Sequence, residues 1–294
     1  MSRWLGIGIF ILFLCCPSIA ADGISKGLEK SFLVLMPAIF PYMVVSQILI
    51  KTGGGAYLEK IFCKNKDSKM YHLIIPSLFC GYPTGARLAS TAYDKNEITK
   101  RELYQMYGFF NIPGFGFSVS YLGGVLYQSV GLGIRIYLSF LCASILLGYF
   151  FGRNDNISTE KIKKISEKPL PFSRALVESV SESSLAMLSL ICFVCFFSSV
   201  ICLIRSFLPD SPLCAALCTI IEITSGLPLL IQHFPLPFAI FFTAFSGICV
   251  MFQSIFFDKK NAVNLLSLFL LRSIYGIVSV GCFYGISFLT LYIF

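Results

Sequence analysis

The sequence predicts an all-α polytopic membrane protein of inverted-repeat design, with about seven transmembrane helices plus two re-entrant or broken hairpin segments. Three observations carry that prediction. Hydrophobic residues make up 56% of the chain and charged residues only 13%, against roughly 25% charged in soluble domains. Uncharged tracts at 31–50, 103–134, 183–204, 223–257 and 273–294 each reach the ~18 apolar residues that span a bilayer. Helix-breaking residues recur at span depth, most sharply in Cys80-Gly81-Tyr82-Pro83-Thr84-Gly85-Ala86-Arg87, where unsatisfied backbone groups cost several kcal/mol each if they face lipid.

Residues 1–22 form the first element. Arg3, a hydrophobic run and Ser18-Ile19-Ala20-Ala21 fit an uncleaved transmembrane segment, with a cleaved signal peptide as the alternative. The second span, 31–50, contains Pro37 and Pro41. A basic loop with Lys51, Lys60, Lys64, Lys66 and Lys69 follows, and a second one carries Lys95, Lys100 and Arg101. Positive loops stay in the cytoplasm. If both do, residues 73–92 begin and end on one side, and the segment is a re-entrant hairpin with its tip at 81–85. A crossing helix kinked at Pro83 is the alternative.

Residues 103–127 then go out, broken at Asn111-Ile112-Pro113-Gly114, and 131–152 return. The long basic loop 153–174 holds Arg153, Lys161, Lys163, Lys164, Lys168 and Arg174. Residues 176–204 exit. A second hairpin is expected over 212–231, broken at Thr224-Ser225-Gly226-Leu227-Pro228. Residues 236–257 return to Lys259 and Lys260, and 262–292 leave again.

The two halves, 23–152 and 175–294, share a weak internal repeat. Ser31 through Ser46 resembles Ser183 through Ser198, and Cys80-Gly81-Tyr82-Pro83 resembles Ser225-Gly226-Leu227-Pro228. Phe109 with Pro113-Gly114 resembles Phe242 with Ser246-Gly247, and the Gly148 to Gly152 pair resembles Gly281 and Gly285. The matches occur in one order. With the loop charges they make the halves inverted copies, the arrangement in which broken segments meet at a transporter's midplane site.

Several function classes fall away. The net charge of +8 sits beside apolar spans, where the positive-inside rule puts it, so nucleic acid is not a partner. The 12 cysteines include no CxxC pair with a histidine partner, and most lie in apolar tracts, so neither a zinc site nor a disulfide framework is expected. His72 and His233 are single. No nucleophile and base set or phosphate-binding loop is present, so no enzyme activity and no cofactor are predicted.

Gly81-Tyr82-Pro83-Thr84-Gly85-Ala86-Arg87, Phe110-Asn111-x-x-Gly114, Glu222-Ile223-Thr224-Ser225-Gly226 and Phe245-Ser246-Gly247 leading to Gln253 resemble the YlbJ-type sporulation integral membrane proteins of the nucleoside-recognition, or Gate, superfamily. Cys80 stands where serine is expected in that pattern, and Asn111 is followed by Ile-Pro-Gly. The resemblance implies a role in endospore formation and a relation to parts of concentrative nucleoside transporters and of ferrous-iron transporters, without fixing nucleoside as the substrate.

The candidate solute-binding residues are Gly81, Tyr82, Thr84, Gly85, Arg87, Asn111, Glu222, Thr224, Ser225, Gly226, Ser246, Gln253 and Arg272. Arg87 beside a helix start suits an anionic group; snorkelling to the interface is the bland reading. Glu222 and Arg272 are ionisable residues at span depth, candidates for coupling or for pairing with one another. Arg135 is expected to anchor the interface, and Glu178 and Glu182 to be solvated. Thr84, Asn111, Thr224, Ser225, Ser246 and Gln253 supply uncharged polar groups, although serine and threonine also serve helix contacts in membranes. The expected partners are the bilayer, a small polar solute and a coupling H+ or Na+. A non-transporting scaffold for spore cortex or envelope assembly is the competing class.

Overall fold

A computed structural model describes residues 2–54, 73–74, 76–78, 81–152 and 169–293. Cys80, His72, Lys60, Lys64, Lys66, Lys69 and the loop cations Arg153, Lys161, Lys163, Lys164 and Lys168 lie outside the described residues. Among the described residues there is no strand, and five helices are long and apolar enough to cross a membrane: Pro17–Lys51, Val130–Phe151, Phe172–Phe207, Leu236–Phe256 and Leu265–Leu289. The chain is thus an all-α multi-pass membrane protein.

The first helix is shorter than expected. Helix α1 covers Ser2–Cys15, and Pro17 opens the next helix, where its missing N–H is no loss. Helix α2 then runs unbroken over Pro17–Lys51. It absorbs Pro37 and Pro41 with a π-helical turn at Ser31–Leu35, the usual adjustment where prolines remove backbone donors.

Residues 73–74 and 76–78 are helical, the chain turns at 81–83, and helix α3 covers Thr84–Asp94. The arms fold back on each other: a Cβ built at Gly85 would lie 3.1 Å from Ser77 Cβ. Helix α4, Lys100–Gln105, starts with a Thr99 and Glu102 capping box. It runs into a π-helical turn at Met106–Phe110. After the break at 111–114 comes a third π-helical stretch, Gly116–Leu126. Helix α5 covers Val130–Gly152.

The second half repeats this order. Long helix α6 covers Phe172–Phe207, and α7 at Pro212–Ile221 folds back through Glu222 into α8 at Ile223–His233. Helices α9 at Leu236–Phe245 and α10 at Gly247–Phe256 form one span interrupted at Ser246. Helix α11 covers Leu265–Ile293. Each half therefore reads long helix, folded-back pair, interrupted span, long helix. The second interruption differs from the sequence expectation: Thr224, Ser225, Gly226 and Pro228 all lie inside α8, and the chain breaks at Glu222. Glu222 leaves helical geometry for an extended conformation, with φ −145° and ψ 115°.

Two units emerge from the packing. Helices α2 and α6 run antiparallel, with Gly23 against Ser199, Gly27 against Cys195 and Lys51 against Glu178 and Glu182. A Cβ at Gly23 would overlap Ser199 Cα, and one at Gly27 would come within 2.7 Å of Cys195 Cα. Close backbone approach through small residues is how helices associate where water supplies no drive. The second unit is the core of α3, α4, α5, α7, α8, α9, α10 and α11 with the 111–126 segment, and one hydrophobic cluster runs through both units. The core's polar ties include Tyr107 Oη to Ser254 O at 2.9 Å and Lys260 Nζ to the Tyr93 and Asp94 carbonyls at 3.1 Å each.

The small-residue seam has a direct test. Gly23→Leu should lower stability in detergent by about 1–3 kcal/mol, the usual cost of overpacking, read as a fall in thermal midpoint. Gly281→Leu on α11, where an added Cβ meets nothing within 4 Å, should leave the midpoint unchanged.

Candidate functional site

The site is built from two turns pressed against two interruptions. At the first turn Gly81 has φ +72°, and Tyr82 N donates to Ile112 O at 2.9 Å. A Cβ at Gly81 would overlap the backbone nitrogen of Gly114. Only glycine tolerates both the left-handed backbone and that approach. The tip of one broken segment is thereby seated in the break of the next.

The second turn is seated in the same manner. Gly247, at φ +73°, would bring a Cβ within 3.2 Å of Ile220 O, and the preceding Ser246 has φ +75°. Glu222, 1% exposed, caps α8: its carboxylate oxygens accept from Thr224 N and Ser225 N, each at 2.7 Å. An anion at a helix N-terminus satisfies donors that have no partner in the helix and meets the positive end of the dipole. Tyr121 Oη from the first half donates to Thr224 O at 2.8 Å, tying the two halves at this tip.

Arg272, also 1% exposed, is not the ion partner of Glu222. Among the described residues no ion pair joins them. Its Nη1 donates to Asn111 O at 2.8 Å and Gly108 O at 3.3 Å, and its Nε to Phe245 O at 3.4 Å. The guanidinium also lies 5.2 Å over the Tyr275 ring, a favourable cation and π arrangement. Gly108 and Asn111 close the π-helical end at Met106–Phe110, and Phe245 closes α9. One cation thus satisfies the carbonyls that two interrupted helices leave open, at their negative dipole ends. Asn111 adds a side-chain link, Nδ2 to Ser254 Oγ at 3.1 Å.

A cavity of about 20 Å³ lies between the units, walled largely by apolar side chains such as Leu35 and Ile39 of α2 and Leu190 and Val194 of α6. Its polar walls come from Tyr82, Glu222, Thr224 and Gln253. Tyr82 is 4% and Gln253 2% exposed, and Tyr82 Oη and Gln253 Oε1 have no hydrogen-bond partner among the described residues. The volume suits a water-sized occupant; ordinary ligand pockets measure roughly 300–1,000 Å³.

The thirteen sequence candidates therefore divide. Tyr82, Glu222, Thr224 and Gln253 share the cavity. Gly81, Gly85, Asn111, Ser246 and Arg272 build the breaks, and Gly226 lets α8 meet Thr219 of α7. Thr84 is buried with an unpartnered hydroxyl, outside the cavity wall. Ser225 meets Ser198 Oγ at 3.1 Å. Arg87 does not face an open anion site: it donates to Glu182 Oε2 at 2.9 Å and Glu182 O at 3.0 Å.

The glutamates expected to be solvated are partly exposed, at 35% for Glu178 and 39% for Glu182, and are also paired. Lys51 Nζ reaches Glu178 Oε2 at 2.9 Å and Glu182 Oε1 at 2.7 Å. With its side-chain amide turned for best bonding, Gln47 donates to Glu182 and accepts from Arg87 Nη1 at 3.0 Å. Lys51, Gln47 and Glu182 were not legible as a group. The i,i+4 spacing of Glu178 and Glu182 marks one helix face, but nothing in the sequence says that α2 covers it.

No family model, curated protein or solved structure matches the chain. The geometry stands on its own.

The Arg272 bonds predict an ordering of variants. Arg272→Met leaves several buried carbonyls unsatisfied and should destabilise the protein by about 3 kcal/mol or more, seen as a lowered denaturation midpoint in detergent. Arg272→Lys keeps the charge and should lose less.

Proposed function

We propose that this protein is a transporter or permease of a small polar solute, working by alternating access at the seam between the α2/α6 pair and the core. The observation that carries the reading is the convergence of two separate turn tips, at Tyr82 and Glu222, on one buried cavity with unpartnered polar atoms. Polar groups at membrane depth are costly and mark function by default. The repeated element order and the antiparallel α2 and α6 support an inverted-repeat design, in which such breaks meet near the midplane.

On this reading the cavity is a closed state of the site. A solute larger than water enters only when the tips part, and Tyr82 Oη, Gln253 Oε1 and Thr224 then supply its hydrogen bonds. Glu222 is the candidate for coupling to H+ or Na+, and Arg272 holds the breaks in register. The resemblance to YlbJ-type proteins of the Gate superfamily suggests a nucleoside-like solute and a role in endospore formation at the cell membrane.

The cavity's small size favours one competitor, a non-transporting membrane scaffold for spore cortex or envelope assembly. Metabolite profiling of a deletion strain, followed by uptake of the accumulated or depleted compounds into vesicles holding the purified protein, separates them. The transport reading expects concentrative uptake of at least one such compound; no uptake alongside a sporulation defect favours the scaffold. Glu222→Gln keeps one capping oxygen and should abolish uptake with normal protein amounts in the membrane, whereas unchanged uptake would reduce Glu222 to a helix cap.

A further inference from the structure

The seam between the two units is closed by different chemistry at its two ends. Along α6, the cavity residues Leu190 and Val194 lie between Glu182 on one side and Ser198 on the other. Glu182 is about 12 Å from Leu190 by helical rise, and Ser198 about 6 Å from Val194. Along α2 the order is reversed, as antiparallel packing requires: Ile39 lines the cavity, and Gln47 and Lys51 stand two to three turns toward Glu182.

At the Glu182 end the closure is ionic. Arg87 of α3, in the core, bonds the carboxylate and the carbonyl of Glu182 of α6. Lys51 of α2 binds Glu182 and Glu178 together, and Arg174 reaches Glu178 Oε1 at 2.9 Å. The Lys51 and Arg87 side chains are 18% and 23% exposed, and their partners Glu178 and Glu182 are 35% and 39% exposed, so solvent partly screens the cluster. Charge-assisted bonds of this kind are roughly twice as strong as neutral ones. At the other end, Ser225 of α8 meets Ser198 of α6 at 3.1 Å and Ile201 of α6 packs on Cys214 and Cys218 of α7, a neutral closure with no ion pair between these helices among the described residues.

Between the ionic cluster and the cavity lie buried hydroxyls without partners among the described residues, Ser183 on α6 and Thr84 one turn before Arg87 on α3. We propose that the Arg87, Glu182, Gln47 and Lys51 cluster is a gate. It latches the core to the α2/α6 pair on the side carrying the basic loops, so that the Ser198 end of the seam opens first. The inference rests on the transport reading of the seam, but its test does not depend on the solute.

The test is accessibility. Ala186 lies on α6 between Glu182 and Leu190 and is buried. In full-length protein with the native cysteines replaced, Ala186→Cys should react slowly with a membrane-impermeant maleimide in inside-out vesicles. Adding Glu182→Gln or Arg87→Gln should speed that labelling by about tenfold or more, and only from that face. The double exchange Arg87→Glu with Glu182→Arg should restore the slow rate. Unchanged labelling, or equal acceleration from both faces, would overturn the gate. Should replacing the cysteines impair folding, hydrogen exchange over residues 183–190 in the otherwise native chain reads the same opening in Glu182→Gln. Gated labelling without uptake removes the transport reading and keeps the latch, whereas uptake with ungated labelling removes the latch alone.

Discussion

Backbone that breaks at membrane depth must find its partners inside the protein, and here one arginine meets much of that demand. Arg272 is buried among helices with no carboxylate bonded to it among the described residues, yet three carbonyls from two separate interruptions converge on it. Carbonyls at helix ends carry partial negative charge, so a cation replaces the missing N–H donors. The interrupted span of each half is thereby fixed to the last helix. Everything else at the centre is placed relative to those two breaks.

The two turn tips follow from that constraint. Because Gly81 and Gly247 lack side chains at left-handed positions, each tip can press directly on an interruption. Tyr82 is carried to the cavity from one side and Glu222 from the other. Glu222 is held by its own helix N-terminus, so its carboxylate oxygens find donors locally, with no ion pair among the described residues. Arg272 and Glu222 are thus two independent solutions to the same problem, one at helix C-termini and one at a helix N-terminus.

Packing divides the molecule along a seam. Glycines bring α2 and α6 into backbone contact, whereas the core is knit by tyrosine hydroxyls and by Lys260 on the end of α3. The cavity lies where these two unlike surfaces meet, bounded by ionic bonds at one end and by a hydroxyl contact with apolar packing at the other. That asymmetry gives the two ends of the seam different opening costs.

By itself the sequence determined the solvent and the places of weakness. Apolar composition and span-length tracts made the chain a multi-pass α-helical membrane protein, and Gly81, Pro83 and Pro113 marked two of the four breaks, because backbone chemistry is local; a third, at Ser246, lay inside what the sequence presented as one continuous span. The fourth was misplaced: Gly226 and Pro228 read as a break, but a proline in the second turn and a glycine against Thr219 are compatible with helix α8, and Glu222 is extended only because its carboxylate caps that helix. Partnership belonged to tertiary structure alone. Whether Arg272 pairs with Glu222 or with carbonyls, and whether the partly exposed Glu178 and Glu182 also meet Lys51 and Arg87, depends on which helices come together. Charges on different elements carry no register in the sequence.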